Sequence, residues 1–155
     1  MVLQERWRVD ANKPEYRVKD GKQLKYATRE GPSEVLSTPV VYEGRVYAAI
    51  GQDPEHGEGV GNLVCIDPSG EGDVTKSHVL WSYDEIHRSI STMSIVEGLV
   101  FVADYSGFVH CLDAETGEKY WVHDTLSHIW GSTLVAGGRV YVGNDDGFLT
   151  ILPAA

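Results

Sequence analysis

The densest set of side chains able to do chemistry is Asp53-Pro-Glu55-His56-Gly-Glu58, where three carboxylates and an imidazole fall within six residues. Hard oxygen donors joined by one nitrogen suit a divalent cation, calcium foremost. The spacing matches no defined calcium loop, and the surrounding glycines equally suit a solvated loop that bends sharply. The expectation is therefore no bound metal, with Asp53, Glu55, His56 and Glu58 as the residues that would hold one. Asp104, Asn144, Asp145 and Asp146 form a second acidic set in matching turns, where such residues ordinarily bond their own backbone. His87, His110, His123 and His128 have no HExxH-like spacing and read as surface or packing residues. No Ser-His-Asp set, phosphate-binding glycine loop or paired acid and base is legible. No catalytic residue is assigned.

The elements that must position these residues are written as repeated words. Trp7-Arg-Val-Asp10, Trp81-Ser-Tyr-Asp84 and Trp121-Val-His-Asp124 are one word; Gly44-Arg-Val-Tyr47, Gly98-Leu-Val-Phe101 and Gly138-Arg-Val-Tyr141 are another. Cys65-Ile-Asp67 and Cys111-Leu-Asp113 are a third. The order is kept, and the spacing is 46 residues from Asp67 to Asp113 and 40 from Trp81 to Trp121. A period of about 40–50 residues made of short strands predicts propeller blades rather than helical repeats.

Each repeat reads as four antiparallel strands. Val40-Val-Tyr42 and Val46–Ile50 flank Glu43-Gly44, and Ser94-Ile-Val96 and Leu99–Val102 flank Glu97-Gly98, both as two-residue hairpins. No segment carries a long amphipathic helical period. The fold class is all-β, about three four-stranded blades: residues 37–84, 91–124 and 130–152, the last with its first three strands only. Residues 2–10 read as an outer strand without partners, expected to complete the last blade, and 11–36 as a linker or insertion. Closure of that kind removes sheet edges.

Net charge is −10, with apolar residues at 42%. An acidic chain argues against nucleic-acid backbones and anionic membranes as partners. No apolar run reaches membrane-spanning length, and Met1-Val-Leu-Gln-Glu-Arg6 does not read as a signal peptide. Cys65 and Cys111 occupy matching positions on neighbouring blades, about 10 Å apart, which is too far for a disulfide; both are expected as small buried hydrophobes.

Cys111-Leu-Asp113-Ala-Glu-Thr116-Gly117-Glu-Lys-Tyr-Trp121 resembles the tryptophan-docking signature A-x-D-x-x-T-G-x-x-x-W of pyrroloquinoline-quinone (PQQ) type β-propellers, with Cys111 in place of the first Ala. Asp113, Thr116 and Gly117 suit the turn before the outer strand, and the resemblance implies that Trp121 docks between blades. Asp67 and Trp81 look like a second copy with a lengthened turn, and Trp7 like the tail of a third. Residues 38–62 resemble the PQQ-binding-like repeat proteins of planctomycete-type bacteria. These are mostly exported, with about seven or eight blades, so the chain is expected to be the last three blades of a longer propeller.

Quinoprotein dehydrogenases of this fold hold PQQ over calcium or a lanthanide beside a vicinal cysteine pair, which is missing here. The expected function is a non-catalytic module for protein interaction or assembly, as in relatives that scaffold outer-membrane β-barrel assembly. The alternative is a fragment of a PQQ- or metal-dependent dehydrogenase. The expected partner is a second copy, three blades plus three closing a six-bladed homodimer ring, or the remaining blades of a larger propeller.

Overall fold

Short runs of β-branched and aromatic residues, broken by Gly-containing turns, set the architecture. The computed structural model describes residues 2–155. In chain order the elements are β1 (Trp7–Arg8), α1 (Pro14–Arg17), β2 (Val18–Lys19), β3 (Lys22–Gln23), β4 (Val40–Tyr42), β5 (Arg45–Ala49), β6 (Leu63–Ile66), β7 (Gly72–Asp73) and β8 (Val79–Tyr83). They continue with β9 (Ser94–Val96), β10 (Leu99–Ala103), β11 (Phe108–Asp113), β12 (Lys119–Asp124), β13 (Leu134–Ala136), β14 (Arg139–Gly143) and β15 (Leu149–Pro153). Three antiparallel sheets result, ordered β4-β5-β6-β8, β9-β10-β11-β12 and β13-β14-β15. These are two complete blades and a third with three strands.

The inner hairpins turn on pairs of residues with positive φ: Glu43 and Gly44 (47° and 76°), Glu97 and Gly98 (51° and 78°), Gly137 and Gly138 (56° and 70°). Two successive left-handed residues give the turn a twist that matches its strands. The inner strands β4, β9 and β13 lie side by side. A hydroxyl ladder joins them, with the Thr38 amide donating to Thr92 Oγ1 at 3.2 Å and the Thr92 amide to Ser132 Oγ at 3.0 Å.

Each sheet is apolar on both faces, so each face needs a cover. Tyr47, Ala49, Leu63, Cys65 and Tyr83 of the first blade meet Val100, Val102 and Leu112 of the second. Phe101 and Cys111 on the other side of the second blade meet Val140 of the third, with Trp121, Val135 and Leu152 packed around them. Both cysteines are free and fully buried.

The N-terminal segment departs from expectation. β1 does not complete the last blade; it pairs in parallel with β7, Trp7 opposite Gly72 and Arg8 opposite Asp73. The reason is apolar burial. Trp7 and Val9, with Ala11 and Tyr16, pack on Ala48, Ile50, Val64, Ile66 and Val74, the outer face of the first blade. Residues expected as linker supply α1 and the β2–β3 hairpin, held by Tyr16 Oη donating to the Gly61 carbonyl (3.0 Å) and Asn62 Nδ2 to that of Ala11 (2.9 Å). The chain thus closes its own first face.

Trp81→Ala removes a large ring from a seam between sheets and is expected to destabilise the protein by about 3–5 kcal/mol. A chemical-denaturation midpoint that barely moves would remove the ring from that role.

Candidate functional site

A hydrogen-bonded chain of titratable groups runs through the loop end of the seam between the first two blades. β10 and β11 bring His110 beside the turn at Asp104, and the 84–93 connection lays His87 over it. Asp104 is fully buried, and its Oδ2 lies 3.1 Å from both His87 Nδ1 and His110 Nε2. The same oxygen accepts the His87 amide at 3.1 Å, and Oδ1 accepts the Phe108 amide at 3.1 Å. Buried Tyr83 continues the chain, with its Oη 3.1 Å from His110 Nδ1. Burial alone would raise the Asp104 carboxyl, but the bonds from His110, the His87 amide and the Phe108 amide outweigh it and hold the carboxyl below its ordinary 3.8. Tyr83 is raised, mainly by burial, and stays a neutral hydroxyl.

His87 keeps one free nitrogen, Nε2, and lines a 420 Å³ cleft with Arg29, Glu30, Asp84 and Glu85. The carboxylates there are already engaged: Glu30 with Lys19, Asp84 with Lys13, Glu85 with Lys119. A pinned imidazole is suited to proton transfer or ligation, but no nucleophile stands beside it among these lining residues. The geometry shows a fastening: the 84–89 strap is clamped between the Asp104 turn and residues 59–61, where the Gly61 amide donates to Ile86 O and the Arg88 amide to Gly59 O, both at 3.1 Å.

Arg88 completes the clamp. It is fully buried, and its guanidinium donates to the carbonyls of His56 (3.0 Å), Gly57 (3.2 Å) and Thr28, with Nε unpartnered. The four candidate metal residues do not converge. Asp53 Oδ1 accepts the Glu55 amide at 2.8 Å as a cap of the short Pro54–His56 turn. The His56 ring packs edge-on to Tyr26, and Glu58 faces His128 at 3.7 Å. No group of three or more His, Cys, Asp or Glu able to hold a metal occurs among the described residues.

Of the residues expected to dock, Asp113, Thr116, Gly117 and Trp81 meet where the first two blades face each other. Asp113 Oδ1 accepts the amides of Glu115 and Thr116 (both 2.8 Å) and the Thr116 hydroxyl (3.0 Å), which folds the turn tightly. Trp81 lies over Gly117, where a Cβ would stand 2.6 Å from the indole, and its Nε1 donates to Ala114 O at 3.2 Å. Tyr47 Oη donates to the same carbonyl at 3.0 Å. Trp121 packs near Phe101, Val140 and Leu152 at the next seam, and Trp7 on the first blade beside the long turn that follows Asp67. Asn144 repeats the Asp104 turn bond, accepting the Phe148 amide at 3.0 Å, and His128 lies between Glu58 and Asp145. His110 was legible only as an imidazole interrupting the apolar run Phe108–Leu112. Arg88 gave no signal, because its partners are backbone carbonyls distant in sequence.

One face stays uncovered. Phe101, Val109 and Cys111 are at most 1% exposed, because the third blade covers them. Their counterparts by cross-strand register in that blade are Tyr141, Leu149 and Ile151. Here Leu149 is 64% and Ile151 52% exposed, with Leu134 and Phe148 exposed beside them.

Stacked antiparallel sheets, two of four strands and one of three, with a covered first and an open last face, define a partial β-propeller. The chain belongs to the family described as "Outer membrane protein assembly factor BamB", whose model matches residues 61–154. The structure resembles that of BamB from Moraxella catarrhalis, with a TM-score of 0.60 at 19% identity over 80% of this chain and 33% of that one. It is similar in sequence to the 1-butanol dehydrogenase (cytochrome c) of Thauera butanivorans, 27% identical over 74% of this chain. It is also similar to the quinohemoprotein alcohol dehydrogenase of Comamonas testosteroni, 31% identical over 58% of the chain. The chain spans only 17% and 14% of those two relatives. A quinone held over a metal beside paired cysteines does not fit the residues present: Cys65 and Cys111 lie on separate strands of different blades, Glu30, Asp84 and Glu85 are tied to lysines, and Asp53, Asp104 and Asp113 to backbone amides.

Two outcomes follow. The depressed Asp104 carboxyl contributes stability in full above its unfolded value near 3.8, and loses it as pH falls through the lower native value. Asp104→Asn should cost about 3 kcal/mol near neutrality and flatten part of the acid limb in denaturation midpoints measured between about pH 6 and pH 2.5; an unchanged limb would deny the network this role. Added calcium should leave the melting temperature unchanged, since ligand binding to the native state would raise it. A rise of several degrees that Asp53→Ala abolishes would establish a calcium site.

Proposed function

We propose that the chain is a non-catalytic β-propeller repeat module that works by docking other propeller blades within a larger assembly. The observation that carries this reading is the last blade's outer face. The positions that bury blade-to-blade contacts twice within the chain recur a third time with no cover. An exposed apolar sheet face of this kind, with an unpaired edge at β15, is the property of an interface. The family description, an assembly factor, supports the same reading. The first blade's face is not equivalent, because residues 7–16 already lie on it. A two-copy, six-bladed ring therefore requires that segment to move aside, whereas contact through the last blade requires no rearrangement.

Deprived of a cognate blade, the bare face is expected to hold copies of the chain together in a concentration-dependent way. Light scattering should show this, and the Leu149→Asp, Ile151→Asp double variant should weaken association about a hundredfold while leaving the melting temperature of the dilute, monomeric chain unchanged. A monodisperse monomer at every concentration, with or without the substitutions, would overturn the docking role. The dehydrogenase reading has its own readout: incubation with PQQ and calcium should leave no bound visible chromophore after desalting, and a retained one would favour a redox module instead.

A further inference from the structure

We infer that the open face of the last blade is built to seize one kind of partner, a propeller blade whose turn before the outer strand reads Asp-x-Glu and presents its backbone carbonyls outward. The inference rests on the docking role above and adds the chemistry of the occupant.

The seam between the first two blades shows how such a turn is held. Arg45 and Tyr47 stand two residues apart on β5 and point to the same side. Tyr47 Oη donates to the Ala114 carbonyl at 3.0 Å, and Arg45 Nη1 to the Glu115 carbonyl at 3.2 Å, with Nη2 3.7 Å from Glu115 Oε1. Together they hold the Asp113-Ala114-Glu115 turn of the neighbouring blade by two carbonyls and a carboxylate. The same seam one blade further on has no such hold. There Leu99 and Phe101 take the two positions, and the contact is apolar.

On the open face the polar pair returns. Arg139 and Tyr141 occupy β14 in the same register: Tyr47 lies opposite Cys65 and Tyr141 opposite Ile151, each two residues after its arginine. The words Gly44-Arg-Val-Tyr47 and Gly138-Arg-Val-Tyr141 are identical. Arg139 is exposed, and no hydrogen bond or ion pair engages either side chain among the described residues. A sheet face that only needed an apolar cover would repeat Leu99 and Phe101. This one carries the arginine and tyrosine that elsewhere in the chain have a single task.

A second copy does not present the matching turn. Its Asp113–Gly117 turn is held by its own Arg45, Tyr47 and Trp81. Its other turn of this class begins Asp67-Pro68-Ser69, has no glutamate at the third place, and lies on the blade whose outer face residues 7–16 cover. The occupant is therefore a different blade carrying an acidic turn.

The test is made on the full chain extended after Ala155 by a copy of residues 116–130 followed by a copy of 91–124. This supplies the missing outer strand and then a blade with the Asp-Ala-Glu-Thr-Gly turn, at the high local concentration of a tether. The extended protein should melt higher than the parent. Arg139→Ala and Tyr141→Phe should each lower its melting temperature by about 2–6 °C, the scale of a hydrogen bond to a buried carbonyl in a domain of this size. The same substitutions should leave the parent unchanged, and changing the appended copy of Glu115 to Ala should remove part of the Arg139 effect. An extended protein that gains stability but ignores Arg139 and Tyr141 overturns this inference and leaves blade docking standing. One that gains nothing, or fails to fold, overturns both. Tight self-association of the parent that depends on Arg139 would make a second copy the occupant and reject the assignment.

Discussion

Everything in this molecule depends on the seam between neighbouring sheets. A four-stranded blade that is apolar on both faces has no stability alone, so each face must find another about one sheet spacing away. The Asp113 turn shows how the sequence makes the seam specific as well as apolar. Its carboxylate gathers the amides of Glu115 and Thr116, which hold it below the usual range, and accepts Tyr120 Oη at 2.8 Å. Folded in this way the turn aims the Ala114 carbonyl at Tyr47 and Trp81. Gly117 is required twice over, for a φ of 75° and for the space that the indole fills.

The blades themselves were legible in the sequence, because strand and turn are local. Gly44, Gly98 and Gly138 mark hairpins, and the repeated words mark equivalent places on successive sheets. What escaped were pairings decided by distant partners. Trp7 carries the word of an outer strand, yet its neighbour is Gly72 within a turn that exists only because the first blade's copy is lengthened. Parallel pairing with so short a partner leaves no local pattern; the apolar wall of Ile50, Val64 and Ile66 decides it. Asp104 likewise reads as turn chemistry, and half of it is: Oδ1 serves the Phe108 amide as Asn144 serves that of Phe148. The other oxygen belongs to imidazoles 17 residues before and 6 after, which only the folded seam brings together.

The buried charges have a common location. Asp104 and Arg88 are brought together on the loop side, where the amide of Tyr105, next to Asp104, donates to the Arg88 carbonyl at 2.8 Å. Each is buried, and each is held by many weak partners rather than one strong counter-ion: two imidazoles and two amides for the carboxylate, three carbonyls for the guanidinium, whose Nε stays unpartnered. Such hubs are poor sources of net stability but good sources of specificity, since any other loop arrangement leaves a charge in a dry place. They explain why the 51–61 insertion, with its glycines and carboxylates, is a defined part of the structure. The cation that its carbonyls address is Arg88.

The two ends of the stack obey opposite rules. At the first blade the chain lays Trp7, Val9, Ala11 and Tyr16 across its own sheet and covers that face. At the last blade it leaves Leu134, Leu149 and Ile151 in solvent, all at positions that lie in a seam elsewhere. A stack of identical units would expose complementary faces and could grow from either end, forming a ring or an open filament. Capping one face breaks that symmetry. On the docking role proposed above, the residues that select a partner at the last blade are the polar ones, because many sheets would satisfy the apolar ones. An arginine beside a tyrosine would disfavour a blade whose turn offers no outward carbonyl and no carboxylate, since both side chains would be buried without partners. In the proposed docking, selectivity would thus come from the penalty of leaving Arg139 unsatisfied, more than from the attraction of filling it.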